Sequence, residues 1–226
     1  RTPINTMIGM NEIIARENKN EEIAQYVFNA QQAGRTLLAL VNDVLDFSKI
    51  ESGTLKLAEN VYQLASLIND EVHMLQAKKK KKGLEVAINI DEKLPSYLYG
   101  DEVKIRQIIS VLLSNAIKQT EQGSITFSVG CYTGDVGQFF IKISVADTGV
   151  GIREEDIDNI FKSLDELDEK NIEGVKDFGL HIIKNLADEM QGTIKARSLY
   201  GKGSLFTVTI PQKVIDDAPI GMVADK

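Results

Sequence analysis

Between residues 21 and 51 the small and apolar positions step four, three, four, three: Ile23, Val27, Ala30, Gly34, Leu37, Val41, Val44 and Ser48. That spacing keeps one face of a helix in register for heptad after heptad, so it predicts a long helix from about residue 21 to residue 51. Leu38 and Leu45 widen the stripe. A shorter stripe of Ile4, Met7, Ile8 and Ile14 precedes it, with Pro3 in the first turn, where a missing N–H is tolerated. The polar run Glu17-Asn18-Lys19-Asn20 separates the two. Two amphipathic helices across so short a link form an antiparallel hairpin, and its apolar face is wider than one hairpin covers. Two arrangements bury the excess: dimerisation into a four-helix bundle, or packing of the hairpin on the rest of its own chain.

Ser52-Gly53 closes the long helix, as a glycine beyond the last turn commonly does. The pattern then changes to short alternating runs between helices. A strand is predicted at residues 54–57 and a helix at about 63–82, on Leu64, Leu67, Ile68, Val72 and Leu75. That helix ends in five lysines, Lys78 to Lys82. They read either as a polyanion-binding patch or as a solvated helix end whose cations complement the dipole. Strands are predicted at 84–90 and 97–100. Asp101 is placed to cap a helix carrying Val103, Ile105, Ile108, Ile109, Leu112, Leu113, Ala116 and Ile117. Strands at 124–132 and 138–146 follow, then a short acidic helix at 154–161, a polar segment to about 177 and a helix to about 190. Strands at 192–198 and 204–210 close the pattern, and an irregular tail starts at Pro211.

The stretch Asp147-Thr148-Gly149-Val150-Gly151-Ile152 ends an apolar strand pattern. A carboxylate there can accept a hydrogen bond from an amine, and glycines one residue apart let backbone approach a ligand and adopt positive φ. The same residues also make an ordinary strand-to-loop turn. Composition narrows the choice of partner. With 226 residues and a net charge of −7, the chain suits one large or two modest domains, and no basic face for nucleic acid is expected. A single cysteine, Cys131, allows no internal disulfide and fits a reducing compartment. No eighteen-residue apolar run and no leader pattern occur, so any membrane tie is expected from segments outside this chain.

Taken together, five stretches resemble the core of a sensor histidine kinase. Arg1-Thr2-Pro3-Ile4-Asn5 is similar to the end of the phospho-acceptor motif His-Glu-x-Arg-Thr-Pro, and Asp46 to Gly53 to the close of the dimerisation hairpin. Gly100-Asp101-Glu102 through Asn115-Ala116-Ile117-Lys118 resembles the asparagine box, Asp147 to Gly151 the first glycine box, and Gly203 to Pro211 the closing strand. The resemblance implies an α+β chain. Residues 1–53 would be the helical hairpin of a dimeric four-helix bundle, the dimerisation and phosphotransfer domain. Residues 54–211 would be a two-layer α/β sandwich of the Bergerat ATPase type, and residues 212–226 a linker, which in hybrid relatives precedes a receiver domain.

Roles follow from the same resemblance. Asp147 would accept the adenine amine, Gly149 and Gly151 would allow close approach, and Thr207 would support adenine through water. Asn115 would ligate Mg²⁺ on the phosphates of ATP, and Lys118, one helical turn on, would reach those phosphates. Phe161, Gly174, Gly179 and Leu180 belong to the boxes that cover the nucleotide. The implied reaction takes the γ-phosphoryl to a histidine and then to an aspartate of a partner receiver domain, with a homodimer as the working unit and the cytoplasm as its place. In the reverse, phosphatase-type duty Thr2 would position water.

The departures from the pattern are equally specific. The acceptor histidine is expected three residues before Arg1, and neither His73 nor His181 matches its motif. Val111 stands where an asparagine is usual, Gln119 where an aromatic is usual, Leu164 where a second phenylalanine is usual, and Glu166 where a basic residue is usual. Gly174-Val175-Lys176-Asp177-Phe178-Gly179-Leu180 lacks the middle glycine of its box. Six acidic and two basic residues lie between Asp165 and Asp177, a net −4. Each acidic group about 5 Å from a phosphate costs about 1 kcal/mol even in a near-water dielectric. A degenerate core that dimerises and engages a receiver with little or no ATP turnover is therefore the alternative reading.

Overall fold

The computed structural model describes residues 2–17, 20, 23, 26–31, 33, 34, 37, 41, 45, 49, 52, 54–135, 137–162 and 178–220. The chain divides into two compact units, Arg1–Leu55 and Lys56–Lys226.

In the first unit α1 spans Thr2–Glu17. Residues 26–31 are helical, as are Ile23, Gly34, Leu37, Val41, Leu45 and Lys49 along the stretch expected to form the long helix. Gly34 lets this stretch close on α1, because a Cβ there would stand 3.1 Å from Ile8 Cγ1 and 3.4 Å from Met7 Cε. The helical stretch ends where Thr54 N and Leu55 N both donate to Lys49 O, at 2.8 and 3.1 Å. Val27 is buried, whereas Met7, Ile14, Ile23, Leu37 and Leu45 remain exposed.

The second unit contains β1 (Asn60–Gln63), α2 (Leu64–Lys82), β2 (Glu85–Ile90), β3 (Pro95–Gly100), α3 (Glu102–Gln119), β4 (Ser124–Thr133), β5 (Phe139–Asp147), α4 (Glu154–Ile157), α5 (Phe178–Glu189), β6 (Thr193–Leu199) and β7 (Gly203–Pro219). The strands form one sheet in the order β1-β3-β7-β5-β4-β2, with β6 also paired to β7. Among the described strands only the β2–β4 pair is parallel. Period-two alternation gives the sheet an apolar face carrying Ile125, Phe127, Ile141, Ile143, Val145, Phe206 and Val208, and α3 buries Ile105, Ile108, Ile109, Leu112, Leu113 and Ala116. The result is a two-layer α/β sandwich.

Capping fixes α3 at both ends. Asp101 is 2% exposed, and its Oδ1 accepts from Lys104 N at 3.0 Å, as the sequence predicts. Its Oδ2 also accepts from Ala58 N at 2.8 Å, which ties the chain entering this unit to the start of α3. At the far end Lys82 Nζ donates to Ile117 O at 2.7 Å. The last lysine of the run thus satisfies a terminal carbonyl of α3, the use a helix end makes of a nearby cation. Along the α2–α3 contact Glu71 is buried and accepts from Ser110 Oγ at 2.9 Å, while Arg106 bridges Asp70 and Glu102 at 2.9 and 2.8 Å.

Three expectations are corrected. No strand forms at 54–57; the first lies at Asn60–Gln63, where pairing with β3 supplies the ladder that the earlier residues lack. The acidic helix is shorter than expected, Glu154–Ile157. Residues 212–219 are not an irregular tail. Strand β7 runs on to Pro219 because β3 offers it an antiparallel edge, with Tyr99 opposite Lys213 and Leu98 opposite Val214.

Candidate functional site

Strand β5 sends Ile141, Ile143, Val145 and Asp147 to the core face in turn, so the row of apolar side chains ends in a carboxylate. Asp147 is 8% exposed. Burial pushes its carboxyl above the usual aspartate range, and the N–H groups of Gly149 and Ser204 pull it back. Oδ1 accepts from Gly149 N at 2.8 Å.

The loop after Asp147 is held on both sides. Thr148 N donates to Ser124 O at 3.1 Å, and Val150 N donates to Gln119 O, the last residue of α3, at 3.3 Å. Opposite, Gly201 N donates to Val150 O at 2.7 Å, and Ile152 N donates to Ser198 Oγ at 2.8 Å. The close approaches that its glycines permit are, in this structure, to protein backbone. A Cβ on Gly149 would overlap the Gln119 carbonyl, and Gly151, at φ +67°, lies against Leu199 O.

On α3 the positions Val111, Asn115 and Gln119 share a face, with Lys118 beside them. The glycine loop crosses this face at Gln119. The first turn of α5 meets it at Val111, where a Cβ on Gly179 would stand 2.8 Å from Val111 Cγ1. Half-buried Asn115 lies between these two contacts, and Lys118 is exposed. Phe161 sets its ring edge-on to Phe206, centroids 6.5 Å apart at 88°. Phe206 is opposite Val145, so this aromatic pair sits one layer below Asp147. Leu180 is in the core, which leaves only its backbone for a ligand. Gly174 and the side chain of Thr2 lie outside the described residues; Thr2 itself opens α1. His73 is exposed on α2, and His181 Nδ1 lies 2.8 Å from Phe161 O.

Thr207 is not where its expected role requires it. Its partner across the ladder is Ser144, three residues from Asp147, and alternation places the two on the sheet face opposite Asp147. Thr207 Oγ1 lies 3.2 Å from Ser144 Oγ, and the open concavity on that polar face is lined by Asn89, Ser128, Lys142 and Ser144. The hydroxyl that does accompany Asp147 is Ser204, its register partner, whose Oγ lies 2.9 Å from Ser198 Oγ. Only the pairing of β5 with β7 reveals Ser204; residue type alone gives no reason to prefer it to Thr207.

Residues 100–214 match the family described as histidine kinase-, DNA gyrase B- and HSP90-like ATPase, and residues 1–53 match the His Kinase A (phospho-acceptor) domain. The chain belongs to the sensor histidine kinases. This kinase core is 33% identical over 213 residues to hybrid signal transduction histidine kinase B of Dictyostelium discoideum, covering 93% of this chain and 11% of that protein. It is 33% identical over 224 residues to the autoinducer 2 sensor kinase/phosphatase LuxQ of Vibrio cholerae, covering 97% and 26%. It thus spans about a tenth to a quarter of the length of these relatives. Among solved structures, full-length ShkA in complex with AMPPNP is similar at a TM-score of 0.71 and 28% identity, over 96% of this chain and 44% of that one. No helix among the described residues is long and apolar enough to cross a membrane.

Proposed function

We propose that this kinase core binds ATP between α3, the 147–152 loop and the first turn of α5, and passes its γ-phosphoryl to a histidine and then to a receiver aspartate. One observation carries the reading. The loop at Gln119 and α5 at Val111 bracket Asn115 on a single helix face, with the buried Asp147 carboxylate at the loop end of that bracket. Asp147 would accept the adenine amine with Ser204 at its side, and Phe161 would wall the base. The amide oxygen of Asn115 is the kind of hard donor Mg²⁺ takes, and magnesium needs few protein ligands when phosphates and water complete its shell. Bound there, the ion would neutralise phosphate charge, and Lys118 would add a second cation. Thr2 is proposed for water positioning in the reverse, phosphatase-type reaction.

The working unit we propose is a homodimer, supported by the exposed Met7, Ile14, Ile23, Leu37 and Leu45 of the first unit. Its partner would be a receiver domain and its place the cytoplasm, where ATP is available. A monomer in light scattering at high micromolar concentration would refute the dimer.

A second reading, a binding module with little turnover, is favoured by Val111, which brings no donor or ligand to the face it shares with Asn115. Titration with a fluorescent ATP analogue and Mg²⁺ separates the two. Saturable binding that Asp147→Asn abolishes supports the ATP-using core; no binding at millimolar nucleotide overturns it in favour of the module.

A further inference from the structure

His181 occupies the first turn of α5, yet both of its ring nitrogens are engaged. Nδ1 lies 2.8 Å from Phe161 O, a contact that spans twenty residues of sequence. Nε2 lies 2.8 Å from Asn185 Nδ2, one helical turn further on. A carbonyl oxygen only accepts, so Nδ1 carries the hydrogen and donates it, and Nε2 accepts from the Asn185 amide. The imidazole is thereby held against its own helix on one side and grips the Phe161 main chain with the other.

What it grips matters for the site. Phe161 stands edge-on to Phe206, and Phe206 is two residues along β7 from Ser204, the register partner of Asp147. The helix that carries His181 begins over Val111, one turn of α3 before Asn115. Two walls of the proposed nucleotide site, the aromatic one beneath Asp147 and the start of α5 beside Asn115, are joined by the His181–Phe161 hydrogen bond. Phe161 presents a ring to Phe206, and Gly179 has no side chain to offer.

We propose that His181 is a positioning residue for an adenine nucleotide: it locks the Phe161 wall to the first turn of α5, so that both are in place before the ligand arrives. This rests on the nucleotide site described above. Preorganisation of this kind raises affinity by removing an ordering cost from the binding step.

The test compares the affinity of the full chain for a fluorescent ATP analogue with Mg²⁺ in three variants. An asparagine amide reaches roughly where Nδ1 stands, and a glutamine amide where Nε2 stands. His181→Ala is expected to weaken binding about five- to tenfold, the scale of one intramolecular hydrogen bond. His181→Asn should recover to within about twofold, and His181→Gln should stay weak, because only the former can donate to Phe161 O. A purely structural role would lower the unfolding midpoints of all three without this order of affinities. Nitrogen-15 spectra of the wild-type imidazole should show the hydrogen on Nδ1. Wild-type affinity in His181→Ala, or equal losses in the asparagine and glutamine variants, overturns the role of His181 while leaving the nucleotide site standing. A wild-type chain that binds no nucleotide overturns both.

Discussion

Gly149 passes so close over the carbonyl of Gln119 that a single added carbon would overlap it, and Val150 N bonds the same oxygen at 3.3 Å. The end of α3 and the glycine loop are therefore one rigid joint. Gly149→Ala must push that joint apart, at a cost of about 1–3 kcal/mol. Denaturant unfolding of the second unit should register this loss, and an unchanged midpoint would mean that the loop has room to spare.

The raised proton affinity of Asp147 gives two pH effects of opposite sign. The folded state holds this proton more tightly than the unfolded chain does, so ionisation of Asp147 subtracts stability as pH rises from the ordinary aspartate range through the raised folded value. In the proposed site adenine is held by the ionised acceptor, so nucleotide affinity should fall as pH drops through that same raised value, sooner than for an exposed aspartate. Asp147→Asn should weaken binding at least about tenfold, the scale of a charge-assisted hydrogen bond, and flatten this acidic limb. Titrations from about pH 7 to about pH 4 would check it; an acidic limb that persists in the variant belongs to another group.

The two hydroxyls of β7 separate cleanly. Ser204 lies opposite Asp147 and Thr207 on the other face of the sheet. Ser204→Ala is expected to weaken nucleotide binding about three- to tenfold, and Thr207→Val to change it less than about twofold. The reverse order would return adenine support to Thr207.

Ending the chain after Pro211 tests the strand that replaced the expected tail. The shortened chain loses the β3 pairings of residues 213–219, and the buried Tyr62 hydroxyl loses its acceptor, Gln212 Oε1, at 2.8 Å. Together these should remove about 2–4 kcal/mol of stability. The thermal midpoint should drop by several degrees, at about 2–4 °C per kcal/mol for a unit of this size. A midpoint that does not move would make these residues a linker after all.

The lysine run divides in the same way. Lys82 and Lys79 are both exposed, but Lys82 Nζ donates to a carbonyl at the end of α3. Lys82→Ala should cost about 1 kcal/mol and Lys79→Ala less than about 0.5 kcal/mol, by chemical denaturation. Equal costs would fit a patch acting through its charge alone.

Local rules were enough for much of this protein. The helical periods, the strand alternations and the Asp101 cap depend on a residue and its near neighbours in the chain, and sequence carries those relations directly. The end of an apolar strand in Asp147, followed by glycines, was legible for the same reason. Tertiary structure decided what those glycines touch, which hydroxyl stands beside Asp147, where β7 stops, and what His181 holds. Each of these depends on a partner 20 to 124 residues away, and for the strands pairing register, which no local pattern encodes, chooses that partner. Asp147 was thus fixed by its own strand, but Ser204 came to face it, and His181 to hold Phe161, only when β5, β7 and α5 came together.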